Sequence, residues 1–221
     1  MSSLHLPIKH KLEYLTFGYV RETIEAKYPR LFTAKAIKDL ICSFVPNLFV
    51  DSVILTSEEQ DKLMQMVETH SITSQFLGCE WKLIFRASRD GYESAQFHEK
   101  CDGKKHTICF VHTEFDHVCG GYVEVAWTEG RGGNWAVPCD HAYMFVVRPT
   151  QQIFERTTTK QDNDFASDSA VAHYHSDSFN FGYNDLYLKD KQGRCSMNRH
   201  YQFESAQQVA GGSSFKFHDY E

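Results

Sequence analysis

Nowhere does the chain hold the roughly 18 consecutive apolar residues that a membrane-crossing helix needs; its longest apolar groupings are short, such as residues 144–147. Residues 1–7 lack a basic stretch followed by an apolar one, so no signal peptide is expected. Ser at position 2 and the closing Asp219-Tyr220-Glu221 give no myristoylation or prenylation signal. No Asn-x-Ser/Thr sequon occurs, and the cysteine count of seven is odd. The expected compartment is therefore the reducing cytosol, where disulfides are not the default. No Lys/Arg run offers the positive stripe that displaces counterions from nucleic acid, so neither nucleic acid nor membrane insertion is expected.

The signatures of common chemistry are missing as well. There is no Gly-x-Ser-x-Gly elbow, and no cysteine sits in a recognisable protease context. Gly130, Gly132 and Gly133 do not complete a dinucleotide fingerprint, because position 135 is Trp. Gly103-Lys104-Lys105 lacks the earlier glycine and the Ser/Thr of a P-loop, and Asp162-Asn163-Asp164 lacks the glycine and distal Glu of a calcium loop. No catalytic residue and no cofactor can be nominated on these grounds.

What is present describes a folded protein. The 221 residues are 42% hydrophobic, 14% aromatic and 24% charged, which separates the chain from disordered and fibrous classes. Charge is unevenly shared. Residues 1–50 carry seven Lys/Arg against four Asp/Glu, leaving 16 against 25 for residues 51–221, so the two parts read as different units. Residues 9–45 read as two amphipathic helices separated near Pro29; Ile37, Leu40, Ile41 and Phe44 form an apolar stripe in the second, and Pro46 stops it. Residues 1–50 are thus a helical lead-in, which could serve as a dimerising hairpin.

From residue 51 the pattern changes. Thr56 and Glu59 fit a capping box that opens a helix running to about His70, with Leu63, Met66 and Val67 on its buried face. Trp81, Leu83 and Phe85 alternate with polar residues as in a strand; Asp90-Gly91 turns, and a short helix carries Phe97. Strands follow at about 106–113 and 118–127. If residues 114–117 form a four-residue hairpin loop, Thr113 faces Val118, His112 faces Cys119, Phe110 faces Gly121 and Ile108 faces Val123. One face then holds Ile108, Phe110, Val123, Val125 and Trp127, the other Thr107, Cys109, Val111, Tyr122 and Glu124. Further strands are expected at 142–147, 153–154, 170–174, 186–188, 201–203 and 215–217. The fold class is α+β, mainly β: an antiparallel β-sandwich flanked by helices, with an N-terminal helical segment.

Cys101, His106, Cys109, His112, His117 and Cys119 place six metal-binding side-chain types within residues 101–119. The spacing is not that of paired zinc ligands, and Cys109 and His112 point to opposite faces of one strand, so no metal site is nominated. His173 and His175 could share a face but lack a third ligand. The derived register leaves one redox candidate, Cys119 opposite His112, whose thiol could gain thiolate character if partly exposed.

Taken together, Trp81, Arg86, Ser88-Arg89-Asp90-Gly91-Tyr92, Phe97-His98, Cys101-Asp102-Gly103, Thr107, Gly120-Gly121-Tyr122 and Trp127 resemble the TLDc domain family, the module of the oxidation-resistance proteins. Ala142 to Phe145, Phe181-Gly182, Asp185-Leu186 and residues 215–221 continue the resemblance, which covers residues 51–221. It implies a β-sandwich flanked by helices, protection against oxidative stress and, for several members, an interaction with the vacuolar proton-pumping ATPase. No catalytic constellation comes with it. Ser88, Arg89, Asp90, Gly91, His98, Asp102, Gly120 and Gly121 therefore carry over as positions of fold maintenance or partner contact. Three functions stay open: a non-catalytic interaction module, a thiol-based antioxidant or weak redox enzyme, and an adaptor dimerising through residues 1–50.

Overall fold

A computed structural model describes residues 51–69, 81–130, 136–139, 141–156, 169–197 and 200–221. The helical lead-in expected at 1–50, and any dimerisation through it, lie outside the described residues. Among the described residues, ten strands form one continuous antiparallel ladder in the order β3-β6-β7-β8-β9-β10-β1-β2-β4-β5. In chain order they are β1 (Thr107–Thr113), β2 (Val118–Val123), β3 (Ala136–Val137), β4 (Ala142–Arg148), β5 (Gln152–Glu155), β6 (Val171–Ala172), β7 (Asn180–Phe181), β8 (Leu186–Lys189), β9 (Gln192–Cys195) and β10 (Ser214–Tyr220). The helices are α1 (Ser57–Thr69), α2 (Ala87–Asp90), α3 (Ser94–Cys101) and α4 (Ala206–Ala210).

The ladder folds over on β10. Ser214, Phe215 and Lys216 pair with β9, whereas Phe217, Asp219 and Tyr220 pair with β1 across a bulge at His112/Thr113. A strand that changes partner at a bulge is how a sheet turns a corner into a second layer. The main core then lies between the layers: Val111, Val123 and Met144 from one side meet Phe181, Leu186 and Leu188 from the other. The expected sandwich is therefore present.

A second apolar cluster covers the outer face of β1, β2 and β4, where Phe110, Tyr122, Tyr143 and Phe145 meet Ile54, Leu55 and Leu63. Leu63 is fully buried and Met66 half-buried, as the helical spacing requires; the Val67 side chain is outside the described ones. The capping box at the start of α1 is formed, with the Thr56 N–H donating to Glu59 Oε2 (2.9 Å) and the Glu59 N–H to Thr56 Oγ1 (3.3 Å). Glu59 also ties the helix to the sheet, accepting from Arg148 Nε (2.7 Å) and Nη2 (3.0 Å) on β4.

The hairpin register differs from expectation by one residue. Thr113 faces His117, not Val118, because the connection is a three-residue loop: the Asp116 N–H donates to the Thr113 carbonyl (3.1 Å), and Asp116 takes a left-handed conformation at φ 59°. His112 therefore pairs with Val118, Val111 with Cys119, Phe110 with Gly120, Cys109 with Gly121 and Ile108 with Tyr122. A one-residue slip exchanges faces. Cys109, Val111 and Val123 line the inner core, while Ile108 and Phe110 share the outer face with Tyr122.

Three further expectations change. Residues 81–86 join no strand; the alternation instead reflects Phe85 entering the core while Trp81 and Leu83 stay half-buried. Asp90 ends a helical turn, α2, rather than a simple turn, and residues 201–203 make only an isolated bridge from Tyr201 to Arg156.

Replacing Glu59 with Gln should keep the cap and weaken the tie to Arg148, lowering stability in urea by about 1 kcal/mol at neutral pH. Burial pushes the Glu59 carboxyl up, but the Arg148 and Thr56 hydrogen bonds and the Arg148 charge outweigh it and hold it below its ordinary 4.5. The contribution is therefore present above about pH 4.5, and the difference between the proteins should shrink as pH falls below that value.

Candidate functional site

The family-pattern residues are positioned by two short helices at one side of the sandwich. Ala87 is buried and anchors α2; the Arg86 N–H donates to Asp90 Oδ2 (2.9 Å) and closes the turn. Gly91 follows at φ 117°, and a Cβ there would lie 2.7 Å from the Gln96 side chain, so the position needs glycine on both counts. Gln96 is occupied in the capping box that starts α3, where its side chain accepts from the Glu93 N–H (2.8 Å).

This turn clamps the end of β10. Arg86 Nε donates to Glu221 Oε1 (2.8 Å), and a second guanidinium N–H reaches the Asp51 carbonyl. The Val53 N–H donates to the same Glu221 oxygen (3.0 Å). Ser88 donates to Asp219 twice, from its N–H to Oδ1 (2.9 Å) and from its hydroxyl to Oδ2. Charge-assisted bonds of this kind are about twice as strong as neutral ones. Arg89 turns outward, paired with Asp90 at 2.7 Å and donating to the Ile84 carbonyl (3.1 Å); its side chain is 46% exposed. The hydrogen bond from Arg89 is the main reason the Asp90 carboxyl stays below its ordinary range.

His98 and Asp102 form a separate cluster. His98 is buried on α3, with Nδ1 2.8 Å from Asp102 Oδ1 and Nε2 within 3.0 and 3.1 Å of the Asp177 and Tyr174 carbonyls. The ring thus rivets α3 to the segment between β6 and β7. Gly120 and Gly121 serve close approach in β2: a Cβ at 120 would sit 1.9 Å from the Cys109 carbonyl oxygen, and one at 121 would sit 2.6 Å from the Phe181 ring. Ser88 to Gly91, His98 with Asp102, and the two glycines are three structural devices rather than one reactive cluster.

The redox pair is not assembled. Cys119 is fully buried opposite Val111, whereas His112 lies on the other face, 3.0 Å from Asp116 and with its ring 4.7 Å from that of His218 at a tilt of 53°. Burial pushes the Cys119 thiol well up, away from the reactive thiolate. All five described cysteines are buried, and desolvation raises Cys101 and Cys195 to about 12 and Cys109 well above its ordinary value. Cys42 and Cys79 lie outside the described residues. The histidines of 101–119 have separate partners: His106 is 3.0 Å from the Tyr122 hydroxyl and His117 3.0 Å from the Val209 carbonyl. Among the described residues no group of three His, Cys, Asp or Glu side chains is gathered as a metal would require. His173 is buried and accepts from the Thr128 N–H (3.2 Å), whereas His175 is exposed.

Sequence reasoning missed Arg86, Asp219 and Glu221 as site residues. No local signal marks them, since charged residues at a turn and a strand end are ordinary surface positions. It also missed an open groove of about 1050 Å³ between the start of α3 and the β8–β9 hairpin, where Lys189, Lys191 and Arg194 stand beside Tyr92 and Tyr187. Those cations lie close together in sequence, but the groove they line forms only where the hairpin meets the start of α3.

Geometry of this kind defines an antiparallel sandwich module built around a clamped strand. The comparison with known families carries this further: the chain belongs to the TLDc domain family, whose model matches residues 48–221. No curated protein matches it significantly.

Removing the clamp's acceptor by Asp219→Ala leaves the Ser88 donors without a partner and should lower stability by about 1–3 kcal/mol in urea unfolding, while Asp219→Asn, which keeps an oxygen, should lose less. A pH prediction follows from His173, which desolvation lowers to about 4. The folded state prefers the neutral ring, so its contribution is intact above about pH 6.5 and declines by about 3 kcal/mol as pH falls toward 4. The stability difference between the native protein and His173→Gln, followed through that window, should show this slope.

Proposed function

We propose that the protein is a non-catalytic interaction module of oxidative-stress defence, working in the cytosol through contact with the vacuolar proton-pumping ATPase. Membership of the TLDc domain family is the observation that carries the reading. Most of the family-pattern residues have partners inside the sandwich, while Arg89 turns outward, where a partner could meet it. Among the described residues no helix is long and apolar enough to cross a membrane. The groove sets Lys189, Lys191 and Arg194 against Glu93 and Asp190, a mixed but positively biased lining on an acidic body, which suits an acidic partner surface. A thiol antioxidant would need an accessible thiolate, and burial of the described cysteines weighs against it.

Pull-down from vacuolar extracts, followed by titration of purified pump subcomplexes, should give saturable binding. Lys189→Glu with Lys191→Glu and Arg194→Glu should weaken it at least tenfold and reduce its salt dependence. No saturable binding to any pump subunit would overturn the reading. Peroxide-dependent alkylation mapping should find Cys101, Cys109, Cys119, Cys139 and Cys195 slower than a free thiol.

A further inference from the structure

A cavity of about 90 Å³ lies between residues 81–86 and the first half of β1, far larger than the roughly 10–15 Å³ that admits one water. Its walls are aromatic: Trp81, Phe85, Phe97, Phe110 and Trp127 all contribute. Phe85, Phe97 and Trp127 are buried and form the floor, while the exposed residues Asp51, Lys82 and His106 mark the mouth.

Three charged residues line it, Asp51 and Lys82 at the exposed mouth and Glu221 buried within. The Glu221 side chain is 1% exposed and lines the cavity. Its Oε1 is fully engaged by Arg86 and the Val53 N–H, but Oε2 is buried with no hydrogen-bond partner among the described residues. Buried carboxylate oxygens are normally satisfied, and an unsatisfied one in a native structure calls for an explanation. The Arg86 guanidinium is held on the other oxygen and on the Asp51 carbonyl. The cavity thus offers a hydrogen-bond acceptor with negative charge, aromatic faces that attract cations, and room for a short aliphatic stem.

We propose that this cavity is a receptor for a primary alkylammonium group, of the kind a lysine side chain carries. The methylenes lie against the aromatic walls, and the ammonium donates to Glu221 Oε2. Asp51 and Lys82 at the mouth carry opposite charges, so the preference for a cation rests on Glu221. A quaternary ammonium would find the same ring faces but has no N–H for the carboxylate, so it is the poorer ligand.

The test is a titration of the full chain, followed by the indole and aromatic resonances of Trp81, Trp127 and Phe97. Butylammonium is compared with n-butanol, tetramethylammonium and a blocked lysine tripeptide. Saturable shifts with butylammonium, about tenfold tighter than with butanol, are expected. Glu221→Gln should remove that preference, and Leu83→Phe, which fills the wall, should abolish binding of both. Tighter binding of the lysine tripeptide than of butylammonium identifies a polypeptide source for the group; the reverse identifies a free amine. Equal binding of butanol and butylammonium, or no saturable shift with any probe, overturns the proposal even if both variants fail to fold.

Discussion

The structure depends on β10 being held in two ladders at once. Its first residues belong beside β9 and its last beside β1, so this one strand converts a flat ten-strand ladder into two facing layers. Such a strand has no flat register to relax into, and its far end is fixed by side chains instead. Asp219 and Glu221 bind the Ser88 and Arg86 donors of a four-residue helical turn. The turn in turn leads into α3, which His98 rivets to the opposite layer. Motif positions more than a hundred residues apart therefore serve one mechanical purpose.

That arrangement explains which parts were legible in the sequence. Local chemistry read well: Thr56 and Glu59 announced the start of α1, and continuous apolar runs announced β4. The α4 helix carried an equally local signature that went unread, Ser205 with Gln208 at its start and Gly211 at φ 82° past its end. What could not be read was set by backbone detail or by distance. A left-handed Asp116 shortened one loop and exchanged the faces of β1, which dissolved the pairing of Cys119 with His112. Strand β9 has almost no apolar signal, because Gly193 must leave room for the Phe215 ring: a Cβ there would sit 2.1 Å from it. The clamp residues looked like ordinary surface charges, since nothing local relates position 86 to position 221.

The same reading shifts attention from side-chain chemistry to shape. Cysteines and histidines drew notice in the sequence, yet the described thiols are packing residues and the described histidines mostly hydrogen-bond to backbone or to single partners. Ion pairs and charged hydrogen bonds sit at the seams between elements, at Glu59 with Arg148 and at Arg86 with Glu221. These fix orientation where apolar contact alone would allow sliding. The family relationship and the geometry agree on a TLDc-type antiparallel sandwich held together at these seams.

The position of β10 also has a consequence for how the protein is made. The two layers are joined at this seam only once residues 214–220 have paired with both β9, just before them in the chain, and β1, far earlier in it. Until then β1 and β9 each present an unpaired edge, the kind that recruits other chains. Non-local pairing of this sort is slow to form. Pairing of β10 is thus the event that turns a chain with two open, adhesive edges into two joined layers, and the interval before it is when association with other chains is most favoured.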